Sequence, residues 1–459
     1  MSATFDVRNP ATGTRVQSVA NAGIDEARVM AHKSIAAFPG WRDATAYARS
    51  AILRKWFDLI IQDEDRLAEL MTLEMGKPIT EARGEVKYAA AFVEWYAEEA
   101  KRVYGETVPS QFAHKRLLVR PQPVGPVYAV TPWNFPAAMV TRKAAPALAA
   151  GCTVVLKPAE QSPLTAIRLE ELWREAGGPP DVFQVLTTAD PAAVSSVFFD
   201  DPAIRKLTFT GSTEVGVLLA AQAARTVKRV SLELGGHAPF LVFDDADLDA
   251  AVREVVGSKF RNTGQTCVCA NRIYVQAGIY DAFAHTLTEA VKGLRVGDPM
   301  DAGTHVGPLV DQQGHDKVSA HVADALAKGA RALVGGASRG GLYFEPTVLA
   351  DVAPGMRILQ EETFGPVAPL VRFTRDAEAV AAANGTPFGL AAYLWTRDLT
   401  RAFRVSEALD FGIVGVNDGL PSTPQAPFGG VKASGLGREG GKWGIEEFLD
   451  LKYVSIALG

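Results

Sequence analysis

The sequence predicts an α/β fold built on two sheets of parallel strands. From residue 124, short β-branched runs alternate with helical patterns, as in VGPVYAVTPWNF, TVVLKPAE, FQVLT, RKLTFTGS and KRVSLELGG, and a second series of this kind follows Gly235 and Gly236. Strands that alternate with helices at this spacing are typical of βαβ units, whose strands run parallel. Two α/β domains are therefore expected to meet near residue 235.

The spacing of apolar residues predicts each element in turn. Residues 47–77 and 85–105 carry apolar side chains at intervals of three and four, which is the pattern of amphipathic helices. Further helices are predicted at 164–177, at 190–199, from Glu214 onward and at 247–261. The strands of the second series are APFLVF, NRIYVQ, ARALVGG, EPTVLADV, APLVRF and GIVGVN.

Two apolar segments belong to neither series. HKRLLVRPQP precedes the first βαβ unit, and LKYVSIALG ends the sequence. An apolar strand edge without a partner favours pairing with another chain. We therefore expect both segments to pair across subunits, which would make the protein a homodimer or a homotetramer.

Composition and charge exclude several classes of protein. Of the 459 residues, 47% are apolar and 22% are charged, as in ordinary globular domains and unlike disordered chains. The formal net charge of −5 provides no basic field for nucleic acid or an anionic membrane. Three cysteines are too few for a disulfide framework, and no run reaches the roughly 18 apolar residues of a spanning helix. A cytoplasmic protein that acts on a small molecule is expected.

Polar side chains follow two strands of the first series. Lys157 and Glu160 follow the strand in TVVLKPAE, and Gly211 and Ser212 follow the strand in RKLTFTGS. Open α/β sheets bind ligands at the carboxyl ends of their strands, and a helix start with a serine hydroxyl favours a phosphate. A carboxylate such as Glu160 can accept hydrogen bonds from two ribose hydroxyls. Solvated charges and an ordinary strand-helix turn are the alternative interpretations.

Three further residues suggest covalent catalysis. Cys267 lies in FRNTGQTCVCANR between two arginines, and nearby cations lower the pKa of a thiol and make it nucleophilic. Glu233 ends a strand at the domain junction, where a carboxylate with a raised pKa can act as a general base. Asn134 of PWNFP can donate its amide N–H to a developing oxyanion. A buried structural cysteine, an ion-paired glutamate and a helix-capping asparagine are the alternatives.

In this order, the motifs together resemble the aldehyde dehydrogenase superfamily. The resemblance extends from FDVRNPATG through PWNFP, KPAEQSP, FTGST, ELGG, GQTC and EETFGPV to PFGGVKASGLGREGG. It implies a Rossmann-like dinucleotide-binding domain at 1–104 and 124–234, a second α/β catalytic domain at 235–445, and a small β oligomerisation element at 105–123 and 446–459. It also implies the NAD(P)+-dependent oxidation of an aldehyde.

The resemblance implies a role for each matching residue. Cys267 would be the nucleophile, Glu233 the base for thioester hydrolysis, and the Asn134 amide with the Cys267 backbone N–H the oxyanion hole. The implied cofactor residues are Trp133, Lys157, Glu160, Gly211, Ser212, Glu362 and Phe364. NAD+ is the expected cofactor because Glu160 opposes a 2′-phosphate, whereas Lys157 acts in the opposite direction and leaves NADP+ open.

Within the superfamily, VTRK, KFRNTGQTCVCANR and the ending from FGGVKASG onward look like succinate-semialdehyde dehydrogenases. Arg142 and Arg261 would then bind the distal carboxylate of the substrate, because guanidinium groups suit carboxylates, and Ser422 would add a hydrogen bond. Pro421 and Pro424 depart from the more regular loop of that subfamily. Glutarate semialdehyde, 2-oxoglutarate semialdehyde and lactaldehyde stay open as substrates, since one methylene changes binding by only about 1–3 kcal/mol.

Other patterns give weaker interpretations. GLGREG at 435–440 fits a dinucleotide-binding glycine motif, but no strand is predicted before it. GASRG at 336–340 fits the nucleophile elbow of a hydrolase, but no helix is predicted after Ser338. The histidines show no metal-ligand spacing, so no metal is predicted. A dinucleotide-binding protein without catalysis and a Ser338 hydrolase are the alternatives from other functional classes.

Overall fold

The computed structural model describes residues 3–458. The helices are α1 (Ile24–Asp43), α2 (Ala46–Gln62), α3 (Glu64–Met75), α4 (Ile79–Glu99), α5 (Ala138–Ala150), α6 (Leu164–Glu175), α7 (Pro191–Asp200), α8 (Thr213–Ala224), α9 (Leu248–Phe260), α10 (Tyr280–Lys292), α11 (Gln312–Ala327), α12 (Asp376–Asn384), α13 (Leu399–Ala408) and α14 (Gly441–Glu446). The strands are β1 (Thr4–Arg8), β2 (Arg15–Ala20), β3 (Glu106–Val108), β4 (Lys115–Pro123), β5 (Val127–Val130), β6 (Val154–Lys157), β7 (Phe183–Val185), β8 (Lys206–Thr210), β9 (Arg229–Glu233), β10 (Ala238–Val242), β11 (Ala270–Gln276), β12 (Arg331–Val334), β13 (Ser338–Gly340), β14 (Tyr343–Phe344), β15 (Thr347–Ala350), β16 (Val367–Phe373), β17 (Ala391–Trp395), β18 (Ile413–Val416), β19 (Gly435–Leu436) and β20 (Leu449–Ala457).

The first sheet has six strands in the order β19-β9-β8-β5-β6-β7. Its neighbouring strands run parallel, except that β19 is antiparallel to β9. The chain runs from β5 outward to β6 and β7, and then returns to β8 and β9 on the other side of β5. The strand order therefore reverses between β5 and β8, and the carboxyl ends of strands at such a reversal open a crevice for a ligand.

The second sheet has seven strands in the order β12-β15-β16-β11-β10-β17-β18. Only the edge pair β12 and β15 is antiparallel. Every residue of β10 and of β17 is buried, which is typical of a sheet that is covered on both faces. The chain crosses from the first sheet to the second at residues 234–237. The domain limits given above stay predictions.

The predicted α/β fold is confirmed, and most of its elements lie where they were expected. Helices α6, α7 and α9 begin and end within two residues of the predicted positions, and α8 begins within one residue of its predicted start. Strand β17 was not predicted, because AAYLW has no β-branched residue and a short apolar run does not distinguish a strand from a buried helix. The hairpin of β1 and β2 was also missed, although the turn residues in NPATG are a signal for it.

The small β element corrects one prediction. Strands β4 and β20 pair with each other along their whole length, and β3 occupies the other edge of β4. The prediction that both segments pair across subunits is therefore wrong for β4, because both of its edges are filled within the chain. The outer edge of β20 has no neighbouring strand among residues 3–458. Leu451 and Tyr453 of this strand are exposed.

The packing of the helices fixes the position of the first sheet. Helices α2 to α6 and strands β5 to β7 share a core in which the rings of Trp56 and Trp173 meet edge to face at 5.5 Å. Such aromatic contacts contribute about 0.5–1.5 kcal/mol beyond the burial of their area. In residues 3–458 we find no helix with the length and apolar character required to cross a membrane.

Candidate active site

Two cavities meet at Cys267. The first cavity has a volume of about 310 Å³ and lies among α4, α5 and the loops before β11 and after β18. The second has about 300 Å³ and lies at the carboxyl ends of β5, β8 and β9. Cys267 and Met139 line both cavities. The thiol is therefore placed to react with a molecule in the first cavity while a second molecule occupies the other.

The second cavity contains five of the predicted cofactor residues, namely Trp133, Gly211, Ser212, Glu362 and Phe364. The rings of Trp133 and Phe364 meet edge to face at 5.6 Å. The Ser212 hydroxyl accepts a hydrogen bond from the N–H of Val215 at 3.3 Å and so caps the start of α8. The positive end of that helix dipole is directed toward the cavity, which suits a phosphate.

Two polar groups in this cavity fit a bound nucleotide. The buried hydroxyl of Thr210 has no hydrogen-bond partner within the described chain, and an unpaired buried hydroxyl costs about 1–3 kcal/mol. Glu362 accepts a hydrogen bond from the N–H of Gly236 at 3.1 Å. Burial raises the pKa of Glu362 to about 7. A ligand with hydroxyl and phosphate groups could form hydrogen bonds with both the Thr210 hydroxyl and the Glu362 carboxylate.

Lys157 and Glu160 lie outside the residues that line the second cavity. Lys157 is the last residue of β6, next to the end of β5, and its Nζ lies 2.6 Å from Oε1 of Glu160. The two side chains therefore neutralise each other in the absence of a ligand. Their roles toward a ribose stay predictions.

A strained loop holds Cys267 between the two cavities. Asn262 and Thr263 have φ of 51° and 58°, and Gly264 has φ of 74°, so three successive residues are left-handed. A Cβ atom on Gly264 would lie 2.2 Å from the Gly365 carbonyl oxygen, which explains the glycine. The Asn262 side chain donates to the carbonyl of Asn134 at 2.9 Å. The loop is thereby tied to the other sheet, and strain of this kind is typical of functional sites.

Gly236, in the segment that connects the two sheets, packs directly against the backbone of Cys267. A Cβ atom at this position would lie 2.2 Å from the carbonyl oxygen of Cys267.

Burial raises the pKa of the Cys267 thiol to about 12, although the charge of Arg142 acts in the opposite direction. In the ligand-free chain the thiol is therefore protonated at neutral pH. A base or a change of charge in the site is needed to form the thiolate.

Glu233 ends β9 and is 4% exposed. Burial raises its pKa well above the ordinary value, and the neighbouring carboxylate of Glu439 raises it further. Its Oε2 has no hydrogen-bond partner among residues 3–458. Glu233 does not line either cavity, but it is close enough to Cys267 for its charge to act on the thiol. The predicted role as a base therefore requires a side-chain rotation or a bridging water.

Asn134 lies in the loop between β5 and α5 and lines the second cavity. Its amide donates to the carbonyl of Gln265 at 3.0 Å, which leaves its second N–H for another acceptor. The two residues join the loops that carry the predicted oxyanion donors. The oxyanion role itself stays a prediction.

The first cavity contains all three predicted substrate residues, Arg142, Arg261 and Ser422. Arg142 is 2% exposed, pairs with Glu439 at 2.7 Å, and lies 3.9 Å from the centre of the Phe428 ring. Arg261 makes no ion pair within residues 3–458, and its buried Nε has no partner. Ser422 contacts the hydroxyl of Tyr88, so the loop with two prolines does bring this serine into the cavity wall.

Two acidic residues of the site were not predicted. Glu81 lines the first cavity and accepts a hydrogen bond from the N–H of Asn262 at 2.6 Å. Glu439 binds both Arg142 and Lys143, the latter at 2.6 Å. The one sequence signal for Glu439 is its position as the single carboxylate of GLGREG. For Glu81 no local pattern exists, because it looks like any acidic residue in the first turn of a helix.

The weaker motifs do not form the sites that their patterns suggest. GLGREG supplies β19, which is antiparallel to β9, and ends at Gly440 just before the short α14, so it does not form a parallel βαβ unit. Ser338 starts a short hairpin strand and contacts Nε2 of His315 at 2.8 Å, but it lies outside both cavities. Within the described residues no group of three or more metal-ligating side chains is gathered.

Comparison with known proteins gives consistent matches along the chain. A profile described as "Aldehyde dehydrogenase family" matches residues 1–454. The chain is 57% identical over 456 residues to succinate-semialdehyde dehydrogenase (NADP+) of Escherichia coli (strain K12), covering 99% of this chain and 94% of that protein. It is 54% identical over 455 residues to glutarate-semialdehyde dehydrogenase of Pseudomonas putida, covering 99% and 95%.

A solved structure shows the same architecture. The crystal structure of succinate-semialdehyde dehydrogenase from Burkholderia pseudomallei superposes with a TM-score of 0.98 at 53% identity and covers 99% of this chain and 95% of that one. The family match and these relatives span nearly the whole sequence. The chain therefore belongs to the aldehyde dehydrogenase family.

Proposed function

We propose that the protein oxidises succinate semialdehyde to succinate with NAD+ or NADP+, through a thiohemiacetal and a thioester on Cys267. The observation that carries this proposal is Arg261, an arginine without an ion-pair partner that lines the same cavity as the thiol. Arg261 is partly buried and its Nε has no hydrogen-bond partner, and a substrate carboxylate would supply one. Relatives named for two semialdehydes of dicarboxylic acids support the assignment.

The Cys267 thiol first gives up its proton to a base, and the thiolate then attacks the aldehyde carbon. A C–S bond forms and the carbonyl oxygen becomes an oxyanion. The free N–H of the Asn134 amide and the backbone N–H of Cys267 donate to it, and one such donor contributes about 2.7–4 kcal/mol to the transition state. Arg261 holds the far end of the substrate, which fixes the aldehyde near the sulfur.

The second cavity is the proposed dinucleotide site. The helix start at Ser212, the unpartnered Thr210 hydroxyl and the carboxylate of Glu362 fit the phosphate and hydroxyl groups of such a ligand. When bound there, NAD+ or NADP+ supplies the hydride acceptor. A preference for NAD+ is still predicted because Glu160 would repel the 2′-phosphate of NADP+. The name of the Escherichia coli relative, in contrast, specifies NADP+.

The last step is hydrolysis of the thioester by water. Glu233 takes a proton from the water, the hydroxide attacks the thioester carbon, and the Cys267 sulfur leaves as thiolate. The raised pKa of Glu233 makes this carboxylate a stronger base than an exposed one. The free acid then leaves the first cavity.

Glutarate semialdehyde is the second candidate substrate. Its one extra methylene adds about 0.8 kcal/mol of apolar burial, which is too little to distinguish the two acids by inspection. The Pseudomonas putida relative is named for this substrate and is nearly as similar as the first. 2-Oxoglutarate semialdehyde and lactaldehyde stay open on the same argument.

A substrate screen tests the proposal. Values of kcat/KM are measured for succinate semialdehyde, glutarate semialdehyde, butanal and pentanal, each with NAD+ and with NADP+. We expect an acidic aldehyde to exceed its uncharged counterpart at least tenfold, because only the former pairs with Arg261. Equal or higher values for the uncharged aldehydes would reject an acidic substrate. No dinucleotide reduction with any aldehyde would instead favour a binding protein without catalysis.

The exposed strand β20 supports a proposed homodimer or homotetramer. Its outer edge has no neighbouring strand within residues 3–458, and Leu451 and Tyr453 are 74% and 61% exposed. Large exposed apolar side chains on an open strand edge favour pairing with another chain. A cytoplasmic location stays a prediction.

A further inference from the structure

Glu81 is a carboxylate in the wall of the substrate cavity. It lies in the first turn of α4, and the same cavity is lined by Arg261 and Cys267. Its carboxylate accepts the N–H of Asn262 at 2.6 Å, and Asn262 directly follows Arg261 in the chain. Both side chains therefore line one cavity, and the charge of Arg261 acts on the carboxyl of Glu81, although the two form no ion pair within 4 Å.

The remaining charges on this side of the cavity are already paired. Lys77 forms a buried ion pair with Glu85, and its Nζ also donates to the Asn134 carbonyl at 3.0 Å. Glu85 in turn accepts the N–H of Ala137 at 2.9 Å. These contacts satisfy both groups without help from Glu81.

The charges on the opposite wall are paired as well. Arg142 and Lys143 of α5 share the carboxylate of Glu439, at 2.7 Å and 2.6 Å. Among the described residues that line the cavity, Arg261 and Glu81 are thus the charged groups without an ion pair. A substrate carboxylate that binds Arg261 must approach Glu81.

We propose that Glu81 is a specificity-determining residue, which takes up one proton from solvent when the carboxylate of an acidic aldehyde binds to Arg261. The inference rests on the proposed function, since it requires an anionic substrate in this cavity. Two carboxylates close together in one partly buried cavity disfavour each other's ionisation, so one of them takes up a proton. The substrate carboxylate keeps the guanidinium, and the carboxyl of Glu81 becomes neutral.

The pKa of Glu81 places the uptake of this proton within the pH range in which the enzyme can be assayed. Burial raises it to about 7, while the Asn262 N–H and the charges of Lys77 and Arg261 act in the opposite direction. Below pH 7 the free enzyme already holds the proton, so an acidic aldehyde binds without further uptake. Above pH 7 the proton must be taken from solvent, and binding weakens as pH rises.

A ratio of two substrates isolates this effect. We define the ratio as kcat/KM for succinate semialdehyde divided by kcat/KM for butanal, measured from pH 6 to pH 8.5 with saturating dinucleotide. Ionisation of Cys267, Glu233 and Glu362 affects both aldehydes and cancels in the ratio. We expect the wild-type ratio to fall at least fivefold over this range, because linkage to one proton allows up to about tenfold per pH unit.

Glu81→Gln is expected to flatten the ratio to less than a twofold change and to raise it at pH 8.5. Glutamine keeps an acceptor for the Asn262 N–H, so the Cys267 loop retains that contact. Glu94→Gln is the matched control, since Glu94 lies on the same helix but pairs with Arg54 at the surface. The control should keep the wild-type profile.

Calorimetry provides a second readout that does not require turnover. Succinate semialdehyde is titrated into Cys267→Ala with bound NAD+ at pH 8, in two buffers with different ionisation enthalpies. We expect uptake of about one proton per bound aldehyde in Cys267→Ala, and none in the double variant that also carries Glu81→Gln. Uptake unchanged by Glu81→Gln, or a wild-type ratio independent of pH, would overturn the role of Glu81. A wild-type ratio near one at every pH would instead overturn the proposed substrate class.

Discussion

Arg261→Ala tests whether Arg261 binds the carboxylate of the substrate. The change removes from the first cavity a guanidinium that has no ion-pair partner among residues 3–458. A hydrogen bond to a charged group contributes about 1.5–3 kcal/mol. At about 1.4 kcal/mol per factor of ten, kcat/KM for succinate semialdehyde should fall by roughly 10- to 150-fold. Butanal has no carboxylate, so its kcat/KM should change by less than about threefold.

The assay follows dinucleotide reduction by absorbance with both aldehydes in parallel. Arg253→Ala is the matched control, since Arg253 is exposed on the preceding helix α9 and lies outside the first cavity. Arg261→Lys should give an intermediate loss, because an ammonium group keeps the charge but not the two-point contact with a carboxylate.

One outcome refutes this reasoning. If Arg261→Ala lowers kcat/KM for both aldehydes equally, Arg261 positions the Cys267 loop and does not bind the substrate. The approach of Arg261 to the Phe135 ring, 5.5 Å from its centre, would then be its main contact. The assignment to acidic aldehydes would lose its principal physical support.

Four further predictions concern the other parts of the site. Cys267→Ala should abolish oxidation while the dissociation constant for the dinucleotide, measured by fluorescence titration, changes less than about threefold; retained turnover would contradict the thioester route. Glu233→Gln should give a burst of NADH in rapid mixing followed by slow turnover, and should lose the rise of wild-type kcat with pH that the raised pKa of Glu233 predicts, since only the ionised carboxylate acts as a base. Wild-type kcat/KM should favour NAD+ over NADP+, and Glu160→Gln should reduce that ratio; a wild-type preference for NADP+ would show that Glu160 does not face the ribose. Light scattering at micromolar concentration should show a dimer or a tetramer, and Tyr453→Lys on the exposed face of β20 should shift it toward the monomer; a wild-type monomer would contradict pairing through this strand.

The sequence by itself determined the succession of elements and the identity of most candidate residues. The limits of α6, α7 and α9 and the start of α8 were predicted to within two residues because the spacing of apolar side chains is a local property. Cys267, Glu233 and Asn134 were identified because each lies in a short motif, GQTC, ELGG or PWNFP, that resembles the aldehyde dehydrogenase superfamily. A general rule accounts for the common location of Asn134 and Glu233, since parallel strands present their carboxyl ends at the same edge of a sheet. Cys267 precedes β11 of the second sheet, so its place beside them depends on the tertiary structure.

Only the tertiary structure decided which charges are paired. The sequence predicts that Arg142 and Arg261 both bind the substrate carboxylate, but Arg142 is bound by Glu439 from near the end of the chain, whereas Arg261 is left without an ion pair in residues 3–458. Likewise, β4 pairs with β20, and Glu81 lines the same cavity as Arg261. These contacts join residues that are distant in the chain, and their strength depends on the exclusion of water. Neither distance nor burial is encoded in a local pattern, so the fold must form before the charges of the site can be assigned.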